Sequence, residues 1–275
     1  MNGVAMRLRQ APGPGPDLRL DLRAINPAAM AGLSLAQIGR LSVTQGRLTL
    51  PLAEFFDLSR TDLPDDELRI EGDLARCDRL GWQLGGGRIV IDGDAGDYAG
   101  AAMTAGEIQV LGNAGHLAAC EMAGGTLRVR GSVGDFAAST LPGSMDGMRG
   151  GSFIVMGDAG ARFGDRMRRG TALVFGDAGD FLASRLVAGT IAVGGHAGLH
   201  VAYGMRRGSL IFAGVAPAVP LTFVPAVAGA EVIWQLLARD LARHGGPFSG
   251  LPTRSIERHL GDVAADGKGE LIIVR

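Results

Sequence analysis

A glycine closes one short apolar stretch after another, at Gly72, Gly93, Gly112, Gly131, Gly157, Gly176, Gly195 and Gly214, in steps of 19 residues except for one of 21 and one of 26. From the second copy to the seventh another glycine follows three residues on, at Gly96, Gly115, Gly134, Gly160, Gly179 and Gly198, giving G-D-A-G or a variant such as G-N-A-G. A fixed period of this length marks a solenoid, whose copies cannot bury their apolar faces alone and are stable only when stacked.

The residues four and two places before each anchor glycine are apolar in every copy, from Leu68 and Ile70 through Ile108 and Val110 to Leu210 and Phe212. That alternation is the signature of a strand with one buried face. A second apolar position falls three residues before a coil-ending glycine, at Met103, Met122, Met148, Met167, Leu186 and Met205. Glycines at fixed corners serve a backbone that turns with positive φ or passes too close to its neighbour for a side chain. The pattern predicts an all-β chain: a single-stranded parallel β-helix of about eight 19-residue coils with G-x-x-G corners, an N-terminal cap and a C-terminal helix. The divisions are residues 1–66 for the cap segment, 67–214 for the repeat, and 215–275 for a linker, helix and tail. The 26-residue step predicts a protruding loop around Leu141 to Gly147.

A left-handed hexapeptide helix fits less well because the apolar positions drift against a period of six. Calcium-binding nonapeptides are disfavoured because Asp94, Asp158 and Asp177 give way to Asn113, Ser132 and His196 in sister copies, which suits polar turn residues. A net charge of −1 gives no electrostatic case for nucleic acid. Cys77 and Cys120 fall at different places in their copies and suit a reducing compartment. The uncharged run from Ser209 to Ala230 is broken by Pro217, Pro220 and Pro225, so it reads as an extended linker and not a membrane span. With no apolar segment long enough for export near the N-terminus, the expected location is the cytoplasm.

Before the repeat, Leu18, Leu20 and Leu22 predict a strand, Asn26-Pro27 a turn, and the segments Arg47 to Leu50 and Leu52 to Leu58 a cap on the first coil. After it, Ala230 to Arg243 predicts an amphipathic helix with Val232, Ile233, Leu236, Leu237 and Leu241 on its apolar side. The outward strand positions turn from polar to apolar at the fifth copy, at Ile154 and Met156, Leu173 and Phe175, then Ile211. Such a patch is covered, either by the chain's own C-terminal helix and linker or by a partner subunit.

No G-x-S-x-G, phosphate loop or aligned pair of carboxylates is present, so no residue is assigned a catalytic role. His196, His200 and His116 read as corner residues, and no metal site is expected. Trp82, Trp234, Tyr98 and Tyr203 are scattered, which argues against a sugar-stacking cleft. One feature exceeds background: Arg149, Arg168 with Arg169, and Arg206 with Arg207 fall in register at one corner, with Arg166 and Arg185 nearby. Stacked like charges call for an anion or an acidic partner face, although Val187-Ala188 interrupts the ladder.

The train of G-D-A-G corners with M-x-x-G coil ends, as in Gly157-Asp158-Ala159-Gly160 through Met167-Arg168-Arg169-Gly170, resembles the C subunit of formylmethanofuran dehydrogenase. Glu54-Phe55-Phe56-Asp57, Gly261-Asp262 and Gly267-Lys268-Gly269-Glu270 add to the likeness. The same repeat resembles the C-terminal domain of the glutamate synthase large subunit, but a chain of this length with these tails is expected of the C subunit. In archaea the resemblance implies a tungsten or molybdenum enzyme. In methylotrophic bacteria it implies a formyltransferase/hydrolase complex that passes formyl from tetrahydromethanopterin through a methanofuran-type carrier to formate. An arginine-rich chain with the single lysine Lys268 points to the bacterial complex. Either way, the resemblance implies a scaffold that binds no cofactor of its own. Its expected partners are a formyltransferase, an amidohydrolase-like subunit and a dehydrogenase-like B subunit, and the arginine corner is expected to contact the carrier's acidic tail or an acidic partner.

Overall fold

The structure, a computed structural model, describes residues 3–9, 18–226 and 231–275. Ala230, where the sequence pattern starts the C-terminal helix, and the end of the linker at 227–230 lie outside the described residues. The described chain is mostly β, with a 13-stranded, largely parallel sheet and a smaller 4-stranded sheet.

Each alternating stretch forms a strand, from Glu67–Glu71 and Gly85–Asp92 to Thr190–Val193 and Arg207–Phe212, and each pairs in parallel with the next copy. Equivalent positions face one another, Ile89 opposite Ile108 and Leu127 opposite Phe153. The buried face fixes this register, because a slip of one residue would turn every inner side chain outward. The inner column is closed to solvent, as is the methionine column. Where Phe153 meets the small Ala172, the ring of Phe163 stacks on Phe153 at 5.7 Å, so volume is kept across copies.

A second line of parallel bridges runs Leu74, Ala95, Ala114, Val133, Ala159, Ala178 and Ala197. Beside it the polar corner residues do more than turn the chain. The Asp94 carboxylate accepts the backbone N–H of Asn113 at 2.6 Å, Asn113 that of Ser132 at 2.9 Å, Ser132 that of Asp158 at 2.9 Å, and Asp158 that of Asp177 at 2.8 Å. A second such column links Asp97 to His116, His116 to Asp135, and Asp135 to Ala161. Any side-chain acceptor of the right reach can satisfy the N–H one copy on, which is why Asp, Asn, Ser and His interchange here.

Both ends of the sheet are closed by the flanks. Gly3–Leu8 adds in parallel to Glu67–Glu71, and Phe56–Thr61 covers it in antiparallel. Lys268–Val274 adds in parallel to Arg207–Phe212, followed by Ile256–Gly261 and Val224–Pro225 in antiparallel. Such additions occupy strand edges that would otherwise recruit another chain. The strand expected near Leu20 is the short Leu20–Asp21. Asn26-Pro27 starts a helix where the dipeptide predicts a turn, because the Asn26 side chain accepts the Ala29 N–H and Pro27 is preset at the first helical position.

The C-terminal helix spans Glu231–Ala242 and buries Leu241 and half-buries Leu237 of the predicted apolar face, but not the rest of it. Trp234, Ala238 and Leu241 are buried, whereas Val232, Ile233 and Leu236 are each at least 65% exposed. Trp234 and Ala238, one turn apart, complete a narrow stripe with Leu237 and Leu241; the other apolar residues sit on the solvent side of the same turn.

Candidate functional site

The arginine corner is built by the M-x-x-G ending of each copy. Met148, Met167, Leu186 and Met205 are fully buried, so the residues that follow emerge at the surface before the positive-φ glycine turns the chain back. Backbone bonds then stack them: Arg168 donates its N–H to the Met148 carbonyl at 2.7 Å, Val187 to Met167 at 2.9 Å, and Arg206 to Leu186 at 2.8 Å. Arg149, Arg168, Arg169, Arg206 and Arg207 consequently border one open cavity of about 520 Å³, together with Val187, Ala188 and Asp266.

The arginines are not equally engaged. Arg149 pairs with Glu121 at 3.2 Å and Arg168 with Asp146 of the inserted loop at 2.5 Å. Arg207 lies 3.7 Å from Asp266, which also approaches Lys268. Among the described residues no ion pair reaches Arg169 or Arg206. Arg185 turns away to grip the buried Asp165 through both of its carboxylate oxygens, and Arg166 lies 3.9 Å from the same group. The loop forms where the 26-residue step places it, with Met145 exposed at its tip and Asp146 folded back onto Arg168.

The apolar outer positions are brought together elsewhere. Ile154, Leu173 and Ile211 are buried in one cluster with Trp234, Ala238, Leu241, Phe248 and Leu251, so the chain's own C-terminal segment lies over them. Phe175 packs edge-on against Phe248 at 5.1 Å. Met156 remains 37% exposed. The surface this segment presents outward is the Val232, Ile233 and Leu236 face of the helix.

The aromatic residues are less scattered than their sequence positions suggest. Trp82 meets Tyr98 edge-on at 6.4 Å with Arg79 over both rings, and Tyr203 meets Phe181 at 6.3 Å. Arg162 lies between Phe136 and Phe181, and His200 stacks on Phe181 at 4.7 Å. Tyr98, Leu117, Phe136, Arg162, Phe181 and His200 all hold φ near 60°, an unusual setting for bulky residues, at the same place in successive copies. The signal is present in the sequence two residues after each second glycine, but mixed cations and rings hide it. Of Trp82, Tyr98, Tyr203 and Trp234, Trp234 stands apart, on the buried side of the helix Glu231–Ala242.

Burial pushes the thiols of Cys77 and Cys120 up to about 12, so neither is poised as a nucleophile. His196 rests against the exposed Asp177, whose carboxyl is held below its ordinary range by the His196 backbone N–H and then its ring. Among the described residues no group of three or more His, Cys, Asp or Glu is placed to hold a metal ion, and no helix is long and apolar enough to cross a membrane.

No family model matches the chain. It is 40% identical over 83 residues to the C subunit of the molybdenum-containing formylmethanofuran dehydrogenase 1 of Methanosarcina barkeri, 29% of this chain and 28% of that protein. It is 42% identical over 78 residues to the C subunit of the formyltransferase/hydrolase complex Fhc of Methylorubrum extorquens, 28% of this chain and 29% of that one. These alignments therefore span less than a third of each curated relative. Similarity over nearly the whole length comes from the crystal structure of the formyltransferase/hydrolase complex FhcABCD from Methylorubrum extorquens in complex with methylofuran. One chain of it matches with a TM-score of 0.88 and 40% identity, over 98% of each chain.

Proposed function

The chain belongs to the family of C subunits of formylmethanofuran dehydrogenases and formyltransferase/hydrolase complexes, and on that premise we propose that it is a non-catalytic scaffold subunit of a formyltransferase/hydrolase complex. The observation that carries this reading is the likeness over 98% of both chains to one chain of such a complex. The in-register parallel strands and the second line of bridges support reading residues 67–214 as a single-stranded β-helix of 19-residue coils, with residues 1–66 as its cap and 215–275 as linker, helix and tail. A rod of this kind offers long, fixed faces but no deep cleft, which suits holding other subunits in register.

In such a complex the partners are a formyltransferase, an amidohydrolase-like subunit and a dehydrogenase-like B subunit, in the cytoplasm. Formyl would pass from tetrahydromethanopterin to a methanofuran-type carrier and leave as formate, with the chemistry on the partners. The arginine corner, Arg149, Arg168, Arg169, Arg206 and Arg207, is the edge proposed to meet the carrier's acidic tail, and Arg169 and Arg206, without an ion pair among the described residues, support that role. Met156 and Phe175 mark where the outer strand face emerges from beneath the C-terminal segment toward a sister subunit.

The test is copurification of the tagged full chain from a host that makes the complex. Formyltransferase and amidohydrolase-like subunits in fixed ratio are expected, and glutamate synthase subunits in their place would overturn the reading. The local identity to the Methanosarcina barkeri protein favours a second reading, the C subunit of a molybdenum or tungsten formylmethanofuran dehydrogenase. Recovery of a metal-bearing dehydrogenase subunit in the same experiment would select it. For the carrier edge, charge reversal at Arg168 and Arg206 should raise the complex's KM for the carrier with kcat unchanged; an unchanged KM with normal assembly removes that role.

A further inference from the structure

The interruption of the arginine ladder is the floor of a pocket. Val187 and Ala188 occupy the two places that Arg168 and Arg169 fill one copy earlier and Arg206 and Arg207 one copy later. Short side chains there leave empty the space that a continuous ridge of arginine would fill, and the cavity of about 520 Å³ opens between two arginine shelves. Strands lie about 4.8 Å apart, so the shelves, two strands apart, are separated by about 10 Å along the rod.

Each shelf has one guanidinium occupied within the chain and one without a partner among the described residues. Arg168 is taken by Asp146 and Arg207 is near Asp266, which leaves Arg169 and Arg206 on opposite sides of the floor. With Arg149 at the margin, five arginines and one carboxylate, Asp266, line the cavity, while Glu121 and Asp146 engage Arg149 and Arg168 from outside it. The two free groups stand on backbones about 10 Å apart along the rod, on either side of the apolar floor. An extended acidic chain presents same-face carboxylates about 7 Å apart, at alternate residues, and two arginine side chains reaching in from the two shelves can take such a pair. The apolar floor then fits the uncharged backbone between the two acids.

Resting on the reading of this corner as the carrier edge, we propose that the pocket binds an oligocarboxylate chain two carboxylates at a time. Arg169 and Arg206 take the pair, with the planar guanidinium fork matching each carboxylate, and the Val187-Ala188 floor sets the spacing. The missing arginines are thus what turns a positive surface into a site with a length preference.

The probe is a fluorescein-labelled peptide of six glutamates titrated into the purified full chain by anisotropy, with a six-glutamine peptide and inorganic phosphate as contrasts. Saturable binding of the glutamate peptide is expected, with phosphate competing only at far higher concentration. Arg169→Gln and Arg206→Gln should each weaken binding about tenfold, as expected for loss of one charge-assisted contact. Ala188→Leu fills the floor without changing charge and should weaken it similarly, while Val187→Ala, which leaves the floor open, should not. Circular dichroism checks that each variant is folded. Wild-type affinity in Ala188→Leu, or phosphate competing as well as the peptide, would overturn the pocket and leave only a diffuse positive field. Weakened peptide binding in Arg169→Gln, Arg206→Gln and Ala188→Leu alongside normal copurification of the complex upholds the pocket, whereas a wild-type chain that copurifies but binds no peptide sinks it and spares the scaffold.

Discussion

Truncation of Leu173 to alanine removes a side chain that lies entirely inside the outer cluster. Its neighbours in register are Ile154 on one side and Ala192 on the other, and Trp234, Ala238 and Leu241 of the C-terminal helix belong to the same cluster. The backbone is held by strand pairing on both sides, so the site cannot collapse inward, and Ala192 is already too small to fill the gap. Leu→Ala in such a place costs about 2–5 kcal/mol, and the poor prospects of relaxation put this case at about 3–4 kcal/mol. Met156→Ala, on the exposed margin of the same face at 37% exposure, should cost well under about 1 kcal/mol. Because stability in a stacked repeat is nearly a sum of neighbour terms, the loss should appear locally before it appears globally. Native-state hydrogen exchange read by mass spectrometry should show amides of Glu231–Ala242 exchanging faster in Leu173→Ala, while the inner strand column near Leu127 keeps its protection. A helix that exchanges at the wild-type rate, with an unchanged urea midpoint, would refute the seating of this helix on the outer strand face.

Two further outcomes follow from the corners and the core. A Cβ at Gly176 would lie 2.1 Å from the Asp158 Oδ1 that bonds the Asp177 N–H, so Gly176→Ala should lower the melting temperature through both crowding and the loss of that link, together about 2–4 kcal/mol; Gly143→Ala, in the inserted loop with nothing within 4 Å, should cost no more than the strain of its positive φ, about 1–2 kcal/mol. Raising Cys77 and Cys120 from an ordinary 9.0 to about 12 lowers their thiolate fraction near pH 8 about a thousandfold, so iodoacetamide should label the native chain that much more slowly than the urea-unfolded chain; equal rates would contradict their burial.

The strands and inner columns are legible in the sequence because every copy repeats the same alternation, and glycine marks each corner. The terminal strands are not, although Lys268-Gly269-Glu270-Leu271-Ile272-Ile273 pairs with Arg207–Phe212 residue for residue. That stretch lacks the anchor glycine that makes other copies visible. The first strand, Gly3–Leu8, is hidden for the same reason and lies far from the copy it joins. The forward bonds of Asp94, Asn113, Ser132 and Asp158 span copies, so reading one corner at a time reduces them to turn preference. The helix face is legible only in part: Leu241 is buried and Leu237 half-buried as predicted, but apolar residues surround most of Glu231–Ala242, and only the strand surface decides that Trp234 and Ala238 join them while Val232, Ile233 and Leu236 stay outside. The arginine corner is visible as a charge pattern. Its cavity is not, because a gap in a pattern reads as absence until the neighbouring copies are stacked around it.

The scaffold role is tested most directly by native mass spectrometry of the sister subunits expressed with and without this chain, alongside a formyl-release assay. With the chain, one particle containing formyltransferase and hydrolase subunits is expected; without it those subunits should separate, and the chain alone should release no formate. Equal assembly in its absence, or formate release by the isolated chain, would contradict the account.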